Sequence, residues 1–254
     1  MKQQDSSYRE EKSEAGEIAL SNPVIKWLDN FWYHYKWTVI FCAFVLMVIV
    51  VCFAQCTQTV TTDQSVTFAG AKALSEDEIA AVQDVLNLIG EKNTADGEDV
   101  LTVGLLTYSV FTEEELRAMY TDEDGNFSEY AYNSAKQANS DRLNNFSSFL
   151  TAGVVASKCS IWLVSEYVYE YRNMKALAVP LANSFETAPA GAYDDYAIRL
   201  GDTELYQYYD ALKALPADTL IVLTVIPEYA NDTAQQSYVN DVALYKSLVE
   251  FRAP

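Results

Sequence analysis

The feature that most constrains this chain is an uninterrupted apolar run near its N-terminus. Residues 37–54 contain no charged side chain. As a helix, these residues would extend for about 27 Å, close to the ~30 Å thickness of the hydrocarbon core of a bilayer. The run therefore predicts a single transmembrane helix, which we place at residues 37–56.

Two other interpretations of this run are a cleaved signal peptide and a lipoprotein signal. A signal peptide would begin with a short basic segment, but residues 1–36 carry six acids and five bases. Cys56 follows the run as a lipid-modified cysteine would, but Gln55 precedes it where a lipidation motif has a small residue. We favour an uncleaved signal anchor and keep the lipoprotein as the alternative.

The basic residues near the run indicate its orientation. Lys26 and Lys36 precede it, whereas the next basic residue after it is Lys72. The positive-inside rule then predicts a single-pass protein of the cell membrane, with residues 1–36 in the cytoplasm and residues 65–254 outside. The tail is expected to end in a juxtamembrane helix rich in aromatic residues, namely Trp27, Phe31, Trp32, Tyr33, Tyr35 and Trp37. Such rings favour the headgroup layer, and a docking surface for another membrane protein is the alternative.

Charge and composition exclude several functions for the part that follows the run. Thirty of the 36 acids lie there against twelve basic residues, so like charge argues against nucleic acid as a partner. The only histidine is His34, which excludes a Ser-His-Asp or Cys-His catalytic site after the run. The sequence therefore predicts no catalytic residue, cofactor or metal site that a motif would identify.

The apolar periodicity after the run alternates between strands and helices. Residues 57–64 are expected to be a polar linker and residues 65–254 one α/β domain, a sandwich with a mixed sheet. The predicted strands are 65–69, 100–108, 160–164 and 219–226. The predicted helices are 75–90, 112–120, 128–150, 165–171 and 234–251, with Gly153 marking the end of the third.

Two resemblances add to this interpretation. Residues 149–153 (FLTAG), 159–164 (CSIWLV) and 176–181 (ALAVPL) resemble a stretch of bacterial extracellular solute-binding proteins, which implies a fold like one lobe of such a receptor. The chain is also similar, through "FAGAKALSEDE" and "YAIRLGDTELYQYYDALKALPADTLIVLTV", to uncharacterised single-span membrane proteins of clostridia-like Gram-positive bacteria. The second resemblance implies a location rather than an activity.

Two groups of residues are candidate binding sites. Asp122, Asp124, Asn126 and Ser128 stand at positions 1, 3, 5 and 7 of a calcium-binding loop, but position 6 is Phe127 and position 12 is Asn133. The loop is therefore a weak calcium candidate beside a solvated acidic turn. Acidic and aromatic side chains suited to a ligand or a partner also stand together at Tyr193, Asp194, Asp195 and Tyr196.

From these features we expect a membrane-anchored extracytoplasmic module that binds or interacts without catalysis. Its partners would be the lipid bilayer, through residues 37–56, and a protein at the membrane or cell surface. The alternative is a cell-surface hydrolase that uses carboxylates, since two acids suffice for glycoside cleavage. Two acids converging in a cleft would favour the hydrolase, and an exposed apolar or tyrosine-rich face would favour the interaction module.

Overall fold

The computed structural model describes residues 23–57, 63–91, 102–156 and 158–254. The chain divides into two compact units, Met1–Val60 and Thr61–Pro254. Most of the predicted cytoplasmic tail, residues 1–22, and most of the predicted linker, residues 58–62, lie outside the described residues.

The first unit contains one long helix, α1, which runs from Pro23 to Thr57. It includes both the predicted juxtamembrane helix and the predicted span, without a break between them. Its segment Phe31–Val51 is long and apolar enough to cross a membrane, and none of that segment is buried within the structure. Trp27, Phe31 and Tyr35 are four residues apart and stack along one side, with ring centroids 5.5 and 5.2 Å apart.

The second unit, which we call the C-terminal domain, alternates strands and helices as the periodicity predicts. Its strands are β1 Gln64–Gly70, β2 Val103–Ser109, β3 Ile161–Val164, β4 Ala197–Arg199 and β5 Leu220–Leu223. Its helices are α2 Glu76–Glu91, α3 Glu113–Met119, α4 Glu129–Val155, α5 Glu166–Tyr171, α6 Leu181–Ser184, α7 Glu204–Tyr208 and α8 Asp232–Val249. Short 3-10 turns occupy Met174–Ala176, Leu200–Asp202 and Asp210–Ala214.

The five strands form one mixed sheet in the order β2-β1-β3-β5-β4. The strands β2, β1 and β3 are parallel, and β5 runs antiparallel to both of its neighbours. In the central register, Val66 lies between Leu105 of β2 and Ile161 of β3. The mixed sheet expected from the sequence is confirmed.

Both faces of this sheet are covered, because neighbouring strand residues point to opposite sides. In β3, Ile161 and Leu163 join the core under α2 and α8, whereas Trp162 and Val164 join the core under α4 and α5. All four side chains are buried. The continuous apolar runs in the sequence are therefore strands with two buried faces.

The structure corrects the predicted ends of two helices: the last helix, predicted at 234–251, is α8 at Asp232–Val249, and the end of α4 also differs. Helix α4 does not end at Gly153 but continues to Val155. A Cβ atom on Gly153 would lie 3.4 Å from the Trp162 ring, at ordinary van der Waals distance, so this position faces β3. Gly153 therefore lies in the contact between α4 and the sheet rather than at the end of the helix.

Candidate functional site

The strands β1, β2 and β3 are parallel, so their carboxyl ends lie at the same edge of the sheet. Each of these strands leads into a helix, α2, α3 or α5, whose N-terminus is capped by a side-chain hydroxyl group. Thr112 accepts a hydrogen bond from Glu115 N at 3.1 Å at the start of α3, and Ser165 accepts one from Val168 N at 3.3 Å at the start of α5. The chain after β1 goes to the α2 face, and the chain after β3 goes to the α5 face. In open α/β sheets, ligands bind at the edge where such connections diverge.

Directly after β1, Lys72 is engaged in contacts within the domain. Its Nζ donates to Glu78 Oε1 at 2.8 Å and to the carbonyl oxygen of Ala214 at 2.6 Å. The hydrogen bond from Lys72 lowers the pKa of Glu78 to about 2. The cation therefore fixes the loop before α2 to the 3-10 turn at Asp210–Ala214.

A groove of about 610 Å³ lies beside this edge, between α3 and α4. We call it the α3–α4 groove. It is lined by Ala73, Ser109, Phe111, Leu116, Met119, Tyr120, Tyr130, Ala131, Ser134, Ala135, Ala138 and Arg142. Two of these side chains are notably exposed, Tyr130 at 90% and Met119 at 58%. The groove therefore offers an apolar surface with a single cationic side chain, Arg142.

Polar contacts hold the two walls of the groove in place. Glu113 Oε1 on α3 accepts hydrogen bonds from Tyr132 at 2.8 Å and from Lys136 Nζ at 2.6 Å, both on α4. These two contacts lower the pKa of Glu113, with the Lys136 hydrogen bond as the larger cause. The buried amide of Asn139 pairs with both backbone groups of Phe111, at 2.9 and 2.8 Å. The groove is thus preformed.

The sequence analysis did not identify this groove. Its α4 side includes four small residues, Ala131, Ser134, Ala135 and Ala138, at the spacing of one helix face, between Tyr130 and Arg142. That spacing was the available signal, because small side chains on an otherwise polar helix leave space beside a neighbouring element. What the sequence does not provide is the position of α3, since this comes from tertiary packing.

The structure brings the candidate residues 193–196 together in the turn that leads into β4. Asp194 Oδ1 accepts hydrogen bonds from the backbone N–H groups of Tyr196 at 2.8 Å and Ala197 at 3.0 Å. Its Oδ2 lies 3.1 Å from Lys175 Nζ and accepts from the Tyr169 hydroxyl at 3.0 Å. Both oxygens of this carboxylate are therefore engaged within the domain.

The neighbours of Asp194 differ from it in their surroundings. Tyr193 donates to Glu166 Oε1 at 2.6 Å, and its ring lies edge-on to Tyr169. The side chain of Asp195 is exposed, and with Glu186 and Tyr196 it lines a cavity of about 520 Å³. A contact of these residues with a ligand or a partner stays a prediction, and Asp195 is the acid that is free to make one.

The calcium candidates Asp122, Asp124, Asn126 and Ser128 lie on one tight turn before α4. Asp122 accepts from the backbone N–H of Asn126 at 2.7 Å and from its side-chain amide at 3.0 Å. The side-chain contact is the larger cause of a lowered pKa at Asp122. Gly125 takes a left-handed conformation with φ of +82°. Protein donors therefore occupy the Asp122 carboxylate, and calcium binding stays a prediction that calorimetry would test.

Within the described ranges, no three His, Cys, Asp or Glu side chains are grouped so that they could hold a metal ion. Comparison of the chain with models of protein families, with curated proteins and with solved structures gave no match. The resemblances to solute-binding proteins and to single-span clostridial proteins therefore stay predictions.

Proposed function

We propose that the protein is a membrane-anchored interaction module, in which the α3–α4 groove binds an apolar segment of a partner protein. The observation that carries this proposal is the groove itself, which has apolar walls and is bordered by the exposed side chains of Met119 and Tyr130. Exposed aromatic and methionine side chains are enriched at protein interfaces, because they provide large contact areas.

The membrane anchoring is part of the proposal. It is supported by the apolar segment Phe31–Val51 of α1 and by the aromatic side chains that precede it. The basic residues before the segment support a cytoplasmic N-terminus and an exported C-terminal domain. Protease added to intact cells should remove the C-terminal domain, and protection of this domain would contradict the orientation.

The groove fits this function better than the carboxylate-dependent hydrolase considered from the sequence. Among the acids of the 193–196 group, Asp194 has both oxygens bonded to protein donors, so it is poorly placed to act as an acid or a nucleophile. The α3–α4 groove contains no acid among its lining residues. Its chemistry suits apolar contact with a partner.

Photocrosslinking from the groove in living cells would test the proposal. A photoreactive phenylalanine analogue replaces Tyr130 in the full-length chain, and the same analogue at Tyr229, which is 73% exposed, provides the matched control. We expect a discrete crosslinked partner from position 130 and none from position 229. Equal crosslinking from the two positions would reject the groove as the binding surface.

A second variant relates the crosslink to the groove. Ala135→Glu places a charge among the apolar lining residues and should reduce the crosslinking yield from position 130 by about tenfold or more. Ala152→Glu makes the same change on an exposed site of the same helix and should leave the yield unchanged. A yield that Ala135→Glu does not change would contradict an apolar mode of binding.

A further inference from the structure

The two edge strands of the sheet differ in how they are covered. At β4, the protein's own chain covers the outer edge, because Tyr193 N donates to Ala197 O at 2.9 Å and Arg199 N donates to Gly191 O at 2.7 Å. At β2, the described residues include no strand or bridge on the outer side. The outer edge of β2 is therefore a candidate site for strand addition.

The register shows which backbone groups point outward from β2. Gln64 N donates to Thr102 O at 3.2 Å, and Val110 N donates to Gly70 O at 2.9 Å. In a parallel pair, every second residue of a strand directs its backbone N–H and C=O groups to the same neighbouring strand. The backbone groups of the even-numbered residues of β2 therefore bond to β1. The outward groups then belong to residues 103, 105, 107 and 109.

One end of this outer edge is already bonded, whereas its middle has no partner among the described residues. The N–H of Val103 donates to Asn87 Oδ1 at 2.7 Å. Within the described part of the chain, no hydrogen bond reaches the outward groups of Leu105 and Thr107. Among the described residues, the outward donors and acceptors of Leu105 and Thr107 thus have no partner.

The side chains of β2 provide none of the usual protection of an edge strand. Natural edges carry charged residues, proline or a bulge, which prevent pairing with another chain. The segment 103–109, VGLLTYS, has no charge and no proline, although the part of the chain after residue 54 carries thirty acids. Its middle residue, Leu106, is 42% exposed.

We propose that β2 pairs with β2 of a second copy of this chain, antiparallel, about a two-fold axis at Leu106. This axis sets Leu105 opposite Thr107 of the second copy, and each such pair exchanges two backbone hydrogen bonds. The two Leu106 side chains then face each other as a non-hydrogen-bonded pair, with Cα atoms about 4.5 Å apart. Two five-stranded sheets become one sheet of ten strands.

A second copy fits this edge because the edge is self-complementary. Leu106 is the central residue of β2, so the antiparallel register in which the two strands overlap fully also places leucine on leucine. Both leucines lie on the α4 face, because rotation about an axis normal to the sheet keeps each face on its own side. The contact covers two exposed apolar side chains that would otherwise stay in water.

The strength of this pairing depends on the membrane. One pair of strands is smaller than the interfaces of stable soluble dimers, which bury about 1,200 Å² or more. Confinement of the chains to a bilayer raises their effective concentration, a step that rests on the anchoring proposed above. Because both copies are acidic, we expect the dimer fraction to rise with salt, which screens the repulsion.

Cysteine crosslinking of the full-length protein in membranes tests the register. In a background that carries Cys42→Ser, Cys52→Ser and Cys56→Ser and retains the buried Cys159, Leu106→Cys should form a disulfide-linked dimer on mild oxidation. A Cα separation of about 4.5 Å falls within the range that disulfides span. The matched control is Val239→Cys on α8, where the native side chain is 59% exposed.

We expect at least about tenfold more dimer from position 106 than from position 239, measured on a non-reducing gel. Equal yields, or a disulfide to a different protein, would overturn the proposal. If fractionation finds the protein outside the membrane, the anchoring is wrong, and crosslinking at high protein concentration still tests the pairing.

A non-covalent measurement covers the case in which the cysteine disturbs the strand. Leu106→Lys places a charge at the centre of the edge and should reduce energy transfer between labelled copies by about tenfold. Its circular dichroism should match that of the wild type, because the substituted side chain is exposed. Unchanged energy transfer in this variant would overturn the proposal.

Discussion

Asp194 and Asp241 are both withdrawn from solvent in the C-terminal domain, yet their surroundings shift the two pKa values in opposite directions. Partial burial raises the pKa of Asp194, but the backbone N–H of Tyr196, the Lys175 ammonium and the Tyr169 hydroxyl outweigh it, so the pKa is lowered. The charged form is stabilised because donors surround it.

Asp241 lies on α8 at 3% exposure and has few donors. Gln64 Nε2 donates to it at 3.3 Å, and Ser160 adds a side-chain hydrogen bond. Burial is the larger effect and raises the pKa of Asp241 to about 6. Its titratable neighbours, Cys159 and Tyr238, have raised pKa values and stay neutral, and neither side chain can carry the positive charge that would offset the carboxylate. The comparison shows that the balance between burial and the number of donors decides the direction of the pKa shift at each acid.

The largest change in the stability of the C-terminal domain is expected from Asp194→Ala. This change leaves the buried Tyr169 hydroxyl and two backbone N–H groups without their acceptor, which should lower the free energy of unfolding by about 3 kcal/mol. The adjacent Asp195→Ala removes an exposed carboxylate and should change it by less than about 0.5 kcal/mol. Urea unfolding of the C-terminal domain measures both, and equal effects would contradict a structural role for Asp194.

Asp241→Asn should raise the free energy of unfolding rather than lower it, and the size of this increase should depend on pH. Because the folded pKa of Asp241 is raised from 3.8 to about 6, the folded state favours the protonated acid. The stability that this acid contributes is fully present below pH 3.8 and is lost as the pH rises through about 6. Two pKa units correspond to about 3 kcal/mol, so Asp241→Asn should stabilise the domain by up to this amount at pH 8 and hardly at pH 4.

A suitable control for this pH dependence is Asp84→Asn on the exposed side of α2. The stability difference between this variant and the wild type should be below about 0.5 kcal/mol at both pH values. If Asp241→Asn gives a difference that is equally large at pH 4 and pH 8, desolvation of the charged carboxylate is not the cause.

The sequence predicts those parts of the fold that depend on local pattern. Ile161–Val164 forms a buried strand within the predicted range 160–164, because an apolar run with two buried faces is visible without knowledge of its neighbours. The β4 strand was missed, because it has only three residues and forms through pairing with β5 and with the turn at Asp194.

The residues around Asp194 and Asp241 also depend on tertiary packing, which a local sequence pattern does not predict. Tyr169 and Lys175, which surround Asp194, are separated from it by 25 and 19 residues, so no local spacing links them. The position of Asp241 had a signal, since it shares a helix face with Leu244, Tyr245 and Leu248. That face predicts a buried acid, but the shortage of donors around it depends on where β1 and β3 lie.

A smaller loss is expected from Tyr169→Phe, which removes one of the donors to Asp194 and leaves the buried ring in place. Loss of a single hydrogen bond to a charged group should lower the free energy of unfolding by about 1–2 kcal/mol and raise the pKa of Asp194. Tyr171→Phe removes a hydroxyl from a ring that is 58% exposed and should have almost no effect. Carboxyl titration by NMR, together with urea unfolding, separates the change in pKa from the change in stability.

The smallest change in the stability of the C-terminal domain is expected from Lys175→Met. The Lys175 side chain is 42% exposed and lies 3.1 Å from Asp194 Oδ2 and 3.4 Å from Glu170 Oε1. Solvent and salt screen such a contact, so its loss should lower the free energy of unfolding only slightly at low salt and less in 1 M NaCl. A double-mutant cycle with Asp194→Ala measures the coupling directly. A coupling as large as the whole effect of Asp194→Ala would show that the lysine, rather than the backbone donors, keeps Asp194 ionised.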